Sequence, residues 1–126
     1  MPQTVLVVED NPLNMKLIGS ILEFLKLTCV AAEDGRTGFA RAQEARPDLI
    51  LMDIQLPDIS GLEVVRLIKA DDSLRHIPII ALTAFAMKGD AEKFLAGGCD
   101  AYLAKPFNMP DFIASIRKLL PQERAA

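Results

Sequence analysis

Five runs of mostly apolar residues lie along the chain, and each is bounded by polar or turn-forming residues. Short runs of this kind predict β-strands that are buried on both faces. The predicted strands are residues 4–9, 27–32, 48–53, 77–83 and 101–104. Between the strands, apolar residues recur at the three- and four-residue spacing of amphipathic helices. The predicted helices are residues 12–26, 36–45, 61–70, 87–96 and 109–120.

This alternation predicts an α/β fold, in which helices cover both faces of a doubly wound, five-stranded parallel sheet with right-handed crossovers. Local signals place the helix ends. Asn11 is a good N-cap for the first helix, and Ser60 with Glu63 matches the capping box that satisfies free backbone donors at a helix start. The fourth helix is expected to turn both Phe94 and Leu95 toward the core.

The chain has 126 residues, of which 51% are hydrophobic, enough for one domain with a substantial core. We expect a single domain over residues 1–126, with its core at about 4–120 and no output domain. The formal net charge of -3 disfavours binding to nucleic acid, which attracts clustered basic residues. Membrane insertion is not expected, because no apolar run approaches about 18 residues. Without a secretion-signal pattern, a cytoplasmic protein is expected.

The two cysteines, Cys29 and Cys99, are far from one another and from His76 in the sequence. Neither a zinc-binding spacing nor a CxxC redox pair is therefore present. We expect both thiols to act as small buried apolar side chains.

Chemically matched residues stand at the carboxyl ends of four of the five predicted strands. They are Glu9, Asp10, Asp53, Thr83 and Lys105. Because parallel strands end at one edge of a sheet, these side chains should meet there. Neighbouring carboxylates repel unless they take up protons or hold a cation, and an all-oxygen ligand set favours Mg²⁺. The set suits a phosphoryl group that Asp53 attacks in line while Thr83 and Lys105 contact its oxygens.

Each of these residues has an ordinary structural interpretation when it is taken alone. A single acid at a strand end is usually a helix cap or a solvated turn residue, Thr83 would be a common strand-end threonine, and Lys105 a surface lysine. The coincidence of the whole set favours the functional interpretation. The strand that delivers no such group, residues 27–32, is expected to lie outermost in the sheet.

Four motifs carry a specific family resemblance. They are Glu9-Asp10-Asn11, Met52-Asp53-Ile54-Gln55-Leu56-Pro57, Thr83-Ala84 and Lys105-Pro106. In this order and spacing they resemble the receiver domain of two-component response regulators, over residues 5–120. The resemblance implies the flavodoxin-like (βα)5 receiver fold with strand order 2-1-3-4-5. It also implies an acidic pocket between the first and third strands.

The resemblance also implies roles for individual residues. Asp53 would be the phosphoacceptor for a phosphohistidine on a sensor histidine kinase. Glu9, Asp10 and Asp53 would bind Mg²⁺ together with the main-chain carbonyl of Gln55. Thr83 and Lys105 would hold the phosphoryl oxygens. The chain would assist its own phosphotransfer and dephosphorylation without being an enzyme in the usual sense.

A partner-binding face is implied next to the phosphorylation site. Its candidate residues are Thr83, Ala84, Phe85, Met87, Lys88 and Tyr102. Phosphorylation would shift the population of conformations of this face. From the apolar pattern alone, Phe85 and Met87 are equally compatible with the core, and Tyr102 is compatible with an ordinary amphipathic strand.

Longer matches, in residues 9–17, 53–64 and 82–90, are similar to single-domain receivers that regulate cell division. The implied partners are sensor histidine kinases or phosphatases and downstream regulatory proteins, with the chain a monomer or weak dimer.

A phosphate shuttle or sink in another phosphorelay is an alternative role. An Asp-nucleophile phosphatase would need a second acid where Gln55 stands. A flavin-binding module would not place Glu9 and Asp10 in its phosphate loop.

Overall fold

The computed structural model describes residues 3–84, 90–105 and 108–120. Its five strands are β1 (Thr4–Val8), β2 (Thr28–Ala32), β3 (Leu49–Asp53), β4 (Ile79–Thr83) and β5 (Ala101–Ala104). They form one sheet in the order β2-β1-β3-β4-β5, and every neighbouring pair is parallel. Both the parallel sheet and the strand order implied by the family resemblance are confirmed.

The helices lie in two layers, one on each face of the sheet. They are α1 (Pro12–Phe24), α2 (Gly35–Ala45), α3 (Gly61–Ala70), α4 (Asp90–Ala96) and α5 (Met109–Leu119). Alternate residues of a strand point to opposite faces. Leu6 and Val8 of β1 accordingly pack in the core beneath α2, α3 and α4, whereas Val5 and Val7 pack with residues of α1 and α5. This is the predicted doubly wound architecture.

The register brings the carboxyl ends of the central strands to one edge. Val8 lies opposite Met52, Asp53 opposite Leu82, and Thr83 opposite Ala104. The residues of β3 and β4 are all buried, so their backbone positions are held by packing on both faces. Functional groups at the ends of these strands therefore stand on a rigid support.

Several elements are one or two residues shorter than predicted, and the largest differences, at β4 and α1, have local causes. β4 begins at Ile79 because Pro78 has no N–H to donate to a ladder, and the N–H of Ile77 donates to the carbonyl of Leu74 in the preceding turn. α1 ends at Phe24, and Lys26 has a φ of 61°, a left-handed conformation that terminates the helix. The start predicted for the fourth helix, residues 87–89, lies outside the described residues.

Three side-chain predictions were wrong. Leu95 is 50% exposed whereas Phe94 is buried, because adjacent helical residues point about 100° apart and α4 turns only one face to the core. Cys29 is exposed on the edge strand β2, while Cys99 is buried. Ser60 does cap α3 by accepting from the N–H of Leu62, but the Glu63 carboxylate pairs with Arg66 at 2.6 Å.

Across the described parts of the chain, every helix is too short or too polar to cross a lipid bilayer.

Candidate functional site

Three carboxylates meet at the carboxyl edge of the sheet. Glu9 directly follows β1, and its N–H donates to the carbonyl of Ala32, which continues the strand pairing by one residue. Asp53 is the last residue of β3, and both Glu9 and Asp53 are buried. Asp10 is exposed at the rim of the cluster. One oxygen of each carboxylate lies within 4.8 Å of the other two, so the group can hold one cation.

Lys105 lies between the two buried carboxylates of this cluster. Its Nζ donates to Glu9 Oε1 at 2.5 Å and to Asp53 Oδ2 at 3.1 Å, and only 15% of its side chain is exposed. Its main-chain N–H donates to the carbonyl of Thr83 at 2.7 Å, which holds the residue against the end of β4. One ammonium group therefore bridges the ends of β1 and β3.

The electrostatics of the cluster couple Glu9 to Lys105. Burial, followed by the hydrogen bond and charge of Asp53, raises the pKa of Glu9 against the lowering effect of Lys105. Desolvation would lower the pKa of Lys105, but its hydrogen bonds and charge interactions with Glu9 and Asp53 raise it above the usual value. Lys105 therefore carries its positive charge at neutral pH, where it partly balances the carboxylates.

The loop between β3 and α3 is anchored to the phosphoacceptor candidate. Asp53 Oδ1 accepts from the N–H of Gln55 at 3.0 Å. Ile54 donates to the carbonyl of Leu82 at 3.0 Å and accepts from the N–H of Gly61 at 2.9 Å. Gln55 itself is exposed. The loop thus folds back over the end of β3, with the first residue of α3 against it.

Sequence reasoning missed the role of Gly61 at this site, where it appeared only as part of a capping motif. A Cβ on Gly61 would lie 2.1 Å from the main-chain oxygen of Asp53. No side chain fits at that distance, so glycine lets α3 start directly against the end of β3. The capping box beside a strand-end acid was the available signal, but the close contact depends on the fold.

Thr83 is buried at the end of β4, and the following residue, Ala84, is exposed. A cavity of about 190 Å³ lies between this strand end, the β3–α3 loop and α4. Gln55, Thr83 and Lys93 are among the residues that line it. The cavity provides room for a small polar group beside Thr83 and Gln55.

Tyr102 is 39% exposed on β5, and its ring centroid lies 6.1 Å from that of Phe94 in α4. It therefore faces the surface that α4 and β5 share. Three other residues of the predicted partner face, Phe85, Met87 and Lys88, lie outside the described residues.

The ligand set suits a hard divalent cation. Carboxylate oxygens are the donors that Mg²⁺ prefers, and Mg²⁺ usually completes its shell with water and phosphate oxygens. Asp10 at the rim and the buried Glu9 and Asp53 leave one side of the cluster facing solvent. A cation held there can also contact an incoming phosphoryl group.

The sequence matches the family described as "Response regulator receiver domain" over residues 5–117. The chain belongs to the response regulator receiver family. Its curated relatives include the polar-differentiation response regulator DivK of Brucella anthropi, which is 53% identical over 95% of this chain and 98% of its own length. The DivK protein of Brucella abortus strain 2308 is 51% identical over the same shares of the two chains.

Solved structures agree with the receiver assignment. The receiver domain of sensor histidine kinase PA1611 from Pseudomonas aeruginosa matches with a TM-score of 0.88 and 38% identity, over 95% of this chain and 98% of that one. That structure has a magnesium ion coordinated in its active-site cleft. Chemotaxis response regulator CheY4 of Vibrio cholerae matches with a TM-score of 0.89 and 28% identity, over 95% and 100% of the two chains.

Proposed function

We propose that this receiver domain accepts a phosphoryl group on Asp53 from a phosphohistidine of a sensor histidine kinase, and that the phosphorylated form switches partner binding. The observation that carries the proposal is the ammonium of Lys105 bridging Glu9 and Asp53 inside a three-carboxylate cluster. Such a charge arrangement at the end of a buried strand suits a site for a dianionic group and a divalent cation.

The proposed metal ligands are the carboxylates of Glu9, Asp10 and Asp53 and the main-chain carbonyl of Gln55. The acids are held within 4.8 Å of one another, and the backbone of Gln55 is tied to Asp53 by a hydrogen bond. When bound, Mg²⁺ would offset the negative charge of the acids and of the phosphoryl oxygens. Because Glu9 must be ionised to bind the cation, Mg²⁺ binding should release protons at low pH.

The proposed transfer is an in-line displacement at phosphorus. A carboxylate oxygen of Asp53 forms the new P–O bond, the P–N bond of the phosphohistidine breaks, and the imidazole nitrogen leaves with the bonding electron pair. Lys105 already contacts Asp53 Oδ2 and is placed to neutralise a phosphoryl oxygen. The hydroxyl of Thr83 would donate to another oxygen. These residues would position the phosphoryl group and neutralise its charge, and phosphoryl transfer requires little else from a protein.

Phosphorylation would then change the partner face. Thr83 is followed directly by the exposed Ala84, so a movement of Thr83 would displace residues at the surface. Tyr102 of β5 packs on Phe94 of α4, so the same movement can change the exposed surface that α4 and β5 share. Together with Phe85, Met87 and Lys88, these residues form the proposed face for kinases, phosphatases and downstream regulators. We place this function in a single receiver domain spanning residues 1–126.

For the biological role we propose control of the cell cycle or cell division. The support is the similarity to polar-differentiation response regulators over nearly their full length. A shuttle or sink for phosphate in another phosphorelay would use the same chemistry but would not need a phosphorylation-dependent partner. Pull-down of partners with the phosphorylated chain and with Asp53→Asn separates the two roles.

The chemistry is tested by incubating the protein with Mg²⁺ and acetyl phosphate and measuring its mass. The wild type should gain one phosphoryl group in an acid-stable, base-labile bond, and Asp53→Asn should not. Asp48→Asn is the matched control, because Asp48 precedes the same strand but bonds to the N–H of Thr4 at the opposite end of the sheet. An unmodified wild type, or a labelled Asp53→Asn, would contradict the proposal.

A further inference from the structure

Asp58 joins the loop that follows Asp53 to a different helix. Its Oδ1 accepts from the N–H of Gly35 at 2.8 Å, and its Oδ2 accepts from the N–H of Arg36 at 3.0 Å. The Nε of Arg36 is 4.0 Å from the same Oδ2. Asp58 therefore binds the first two N–H groups of α2 from a loop more than twenty residues away in sequence.

The first N–H groups of a helix have no partner within the helix, and the positive end of the helix dipole favours a carboxylate there. In α2, the N-cap residue Asp34 accepts from the N–H of Thr37 at 2.7 Å. Asp58 supplies acceptors for the two preceding N–H groups, those of Gly35 and Arg36. Desolvation opposes ionisation of Asp58, but these backbone hydrogen bonds and those of Ile59 and Asp58 itself outweigh it, and they lower the pKa to about 2.

Close packing accompanies these hydrogen bonds. A Cβ on Gly35 would lie 2.6 Å from Cγ1 of Ile59 and 2.8 Å from Cγ2 of Val64. The start of α2 is thus pressed against both the β3–α3 loop and α3. The absence of a side chain at Gly35 permits the approach that the two hydrogen bonds of Asp58 require.

The same loop is fixed at its other end to the carboxylate cluster. The N–H of Gln55 donates to Asp53, and the carbonyl of Ile54 accepts from Gly61. Residues 54–58 therefore run between two anchors, one at the proposed phosphoacceptor and the other at α2. A shift of Asp58 would move the short segment that carries the carbonyl of Gln55.

We propose that Asp58 is a positioning residue for the metal and phosphorylation site, because its attachment to the start of α2 holds the main-chain carbonyl of Gln55 in place for a cation. The inference rests on the proposed function and deepens it. Loss of a residue that orients a metal ligand typically weakens metal binding by about 10- to 100-fold.

Asp58→Ala and Asp34→Ala form a matched pair, because both remove a carboxylate that caps α2 and only Asp58 belongs to the β3–α3 loop. Both variants should lose some stability in urea unfolding. In calorimetric titrations with Mg²⁺ alone, the Mg²⁺ affinity of Asp58→Ala should be at least about tenfold lower than that of wild type. The affinity of Asp34→Ala should differ from wild type by less than about twofold. Asp58→Asn, which keeps one oxygen acceptor, should recover part of the affinity.

A second measurement needs no variant. If Mg²⁺ binding and the attachment of Asp58 are linked, saturating Mg²⁺ must slow hydrogen exchange at the N–H groups of Gly35 and Arg36. The N–H of Thr37, bonded to Asp34, is the internal control and should change less. Equal Mg²⁺ affinities in Asp58→Ala and wild type, or an equal loss of Mg²⁺ affinity in the two alanine variants, would overturn this inference but leave the proposed function standing. A wild type that binds no Mg²⁺ would overturn the proposed function as well.

Discussion

Replacing Lys105 by methionine should make the stability of this receiver domain depend more strongly on Mg²⁺ than that of wild type does. The substitution removes the ammonium that lies 2.5 Å from Glu9 and 3.1 Å from Asp53 while keeping a similar apolar stem. Both carboxylates remain buried after the ammonium that balanced them is gone. A bound divalent cation would restore the balance, since the same two acids are proposed metal ligands.

The expected loss of folding free energy in Lys105→Met follows from the distances between the charged groups. Two unit charges 4.8 Å apart, the upper limit for the carboxylate oxygens here, repel by about 3.5 kcal/mol at an effective dielectric constant of about 20. Removing one partner of a buried ion pair typically costs about 3–5 kcal/mol. We therefore expect the free energy of unfolding of Lys105→Met to be about 3 kcal/mol below that of wild type at neutral pH without metal.

The assay is urea unfolding followed by circular dichroism, with and without Mg²⁺, between pH 5 and pH 8. The folded pKa of Glu9 is raised, so its ionisation destabilises the fold as pH rises through that value. Lys105→Met should therefore recover stability at the acidic end of the range. In wild type the pKa of Lys105 is raised in the folded state. Lys105 therefore contributes its full stabilisation at any pH below the usual lysine pKa, and this stabilisation is lost as pH rises through the raised pKa of the folded state.

Lys69→Met is the control. Lys69 is also largely covered, and it donates to the carbonyls of Arg75 and Ile77, away from the carboxylate cluster. Its loss should lower stability but leave the stabilisation by Mg²⁺ the same as in wild type, because the carboxylate cluster is intact. If Mg²⁺ rescues Lys105→Met no more than Lys69→Met, the electrostatic account of the cluster is refuted.

Three further predictions concern single positions. Gly61→Ala should lower the free energy of unfolding by at least about 2 kcal/mol in urea, because its Cβ would lie 2.1 Å from the main-chain oxygen of Asp53; unchanged stability would contradict that contact. Below the raised pKa of Glu9, Mg²⁺ affinity in wild type should rise about tenfold per pH unit in calorimetric titrations, and Glu9→Gln should abolish that slope. Lys26→Gly should stabilise the fold by up to about 1 kcal/mol in the same unfolding assay, since residue 26 has a φ of 61°; a loss of stability would show that the lysine side chain matters more than the backbone.

The sequence by itself determined the alternation of strands and helices and therefore the fold class. Hydrophobic spacing and caps such as Asn11 and Ser60 act over a few residues, so they can be read locally, and the structure shows both caps in place. The motifs around Asp53 were specific enough to identify the receiver family and its strand order. Local spacing did not distinguish Phe94 from Leu95, because which of two adjacent helical residues enters the core depends on how the helix is docked.

Only the tertiary structure decided how distant residues meet. Glu9 and Lys105 are 96 positions apart, and their contact exists because parallel register aligns the carboxyl ends of β1, β3, β4 and β5. The attachment of Asp58 to α2 and the approach of Gly61 to Asp53 likewise depend on how helices dock on the sheet. Such contacts have no local sequence signal, because their geometry is set by the packing of elements that are far apart in the chain.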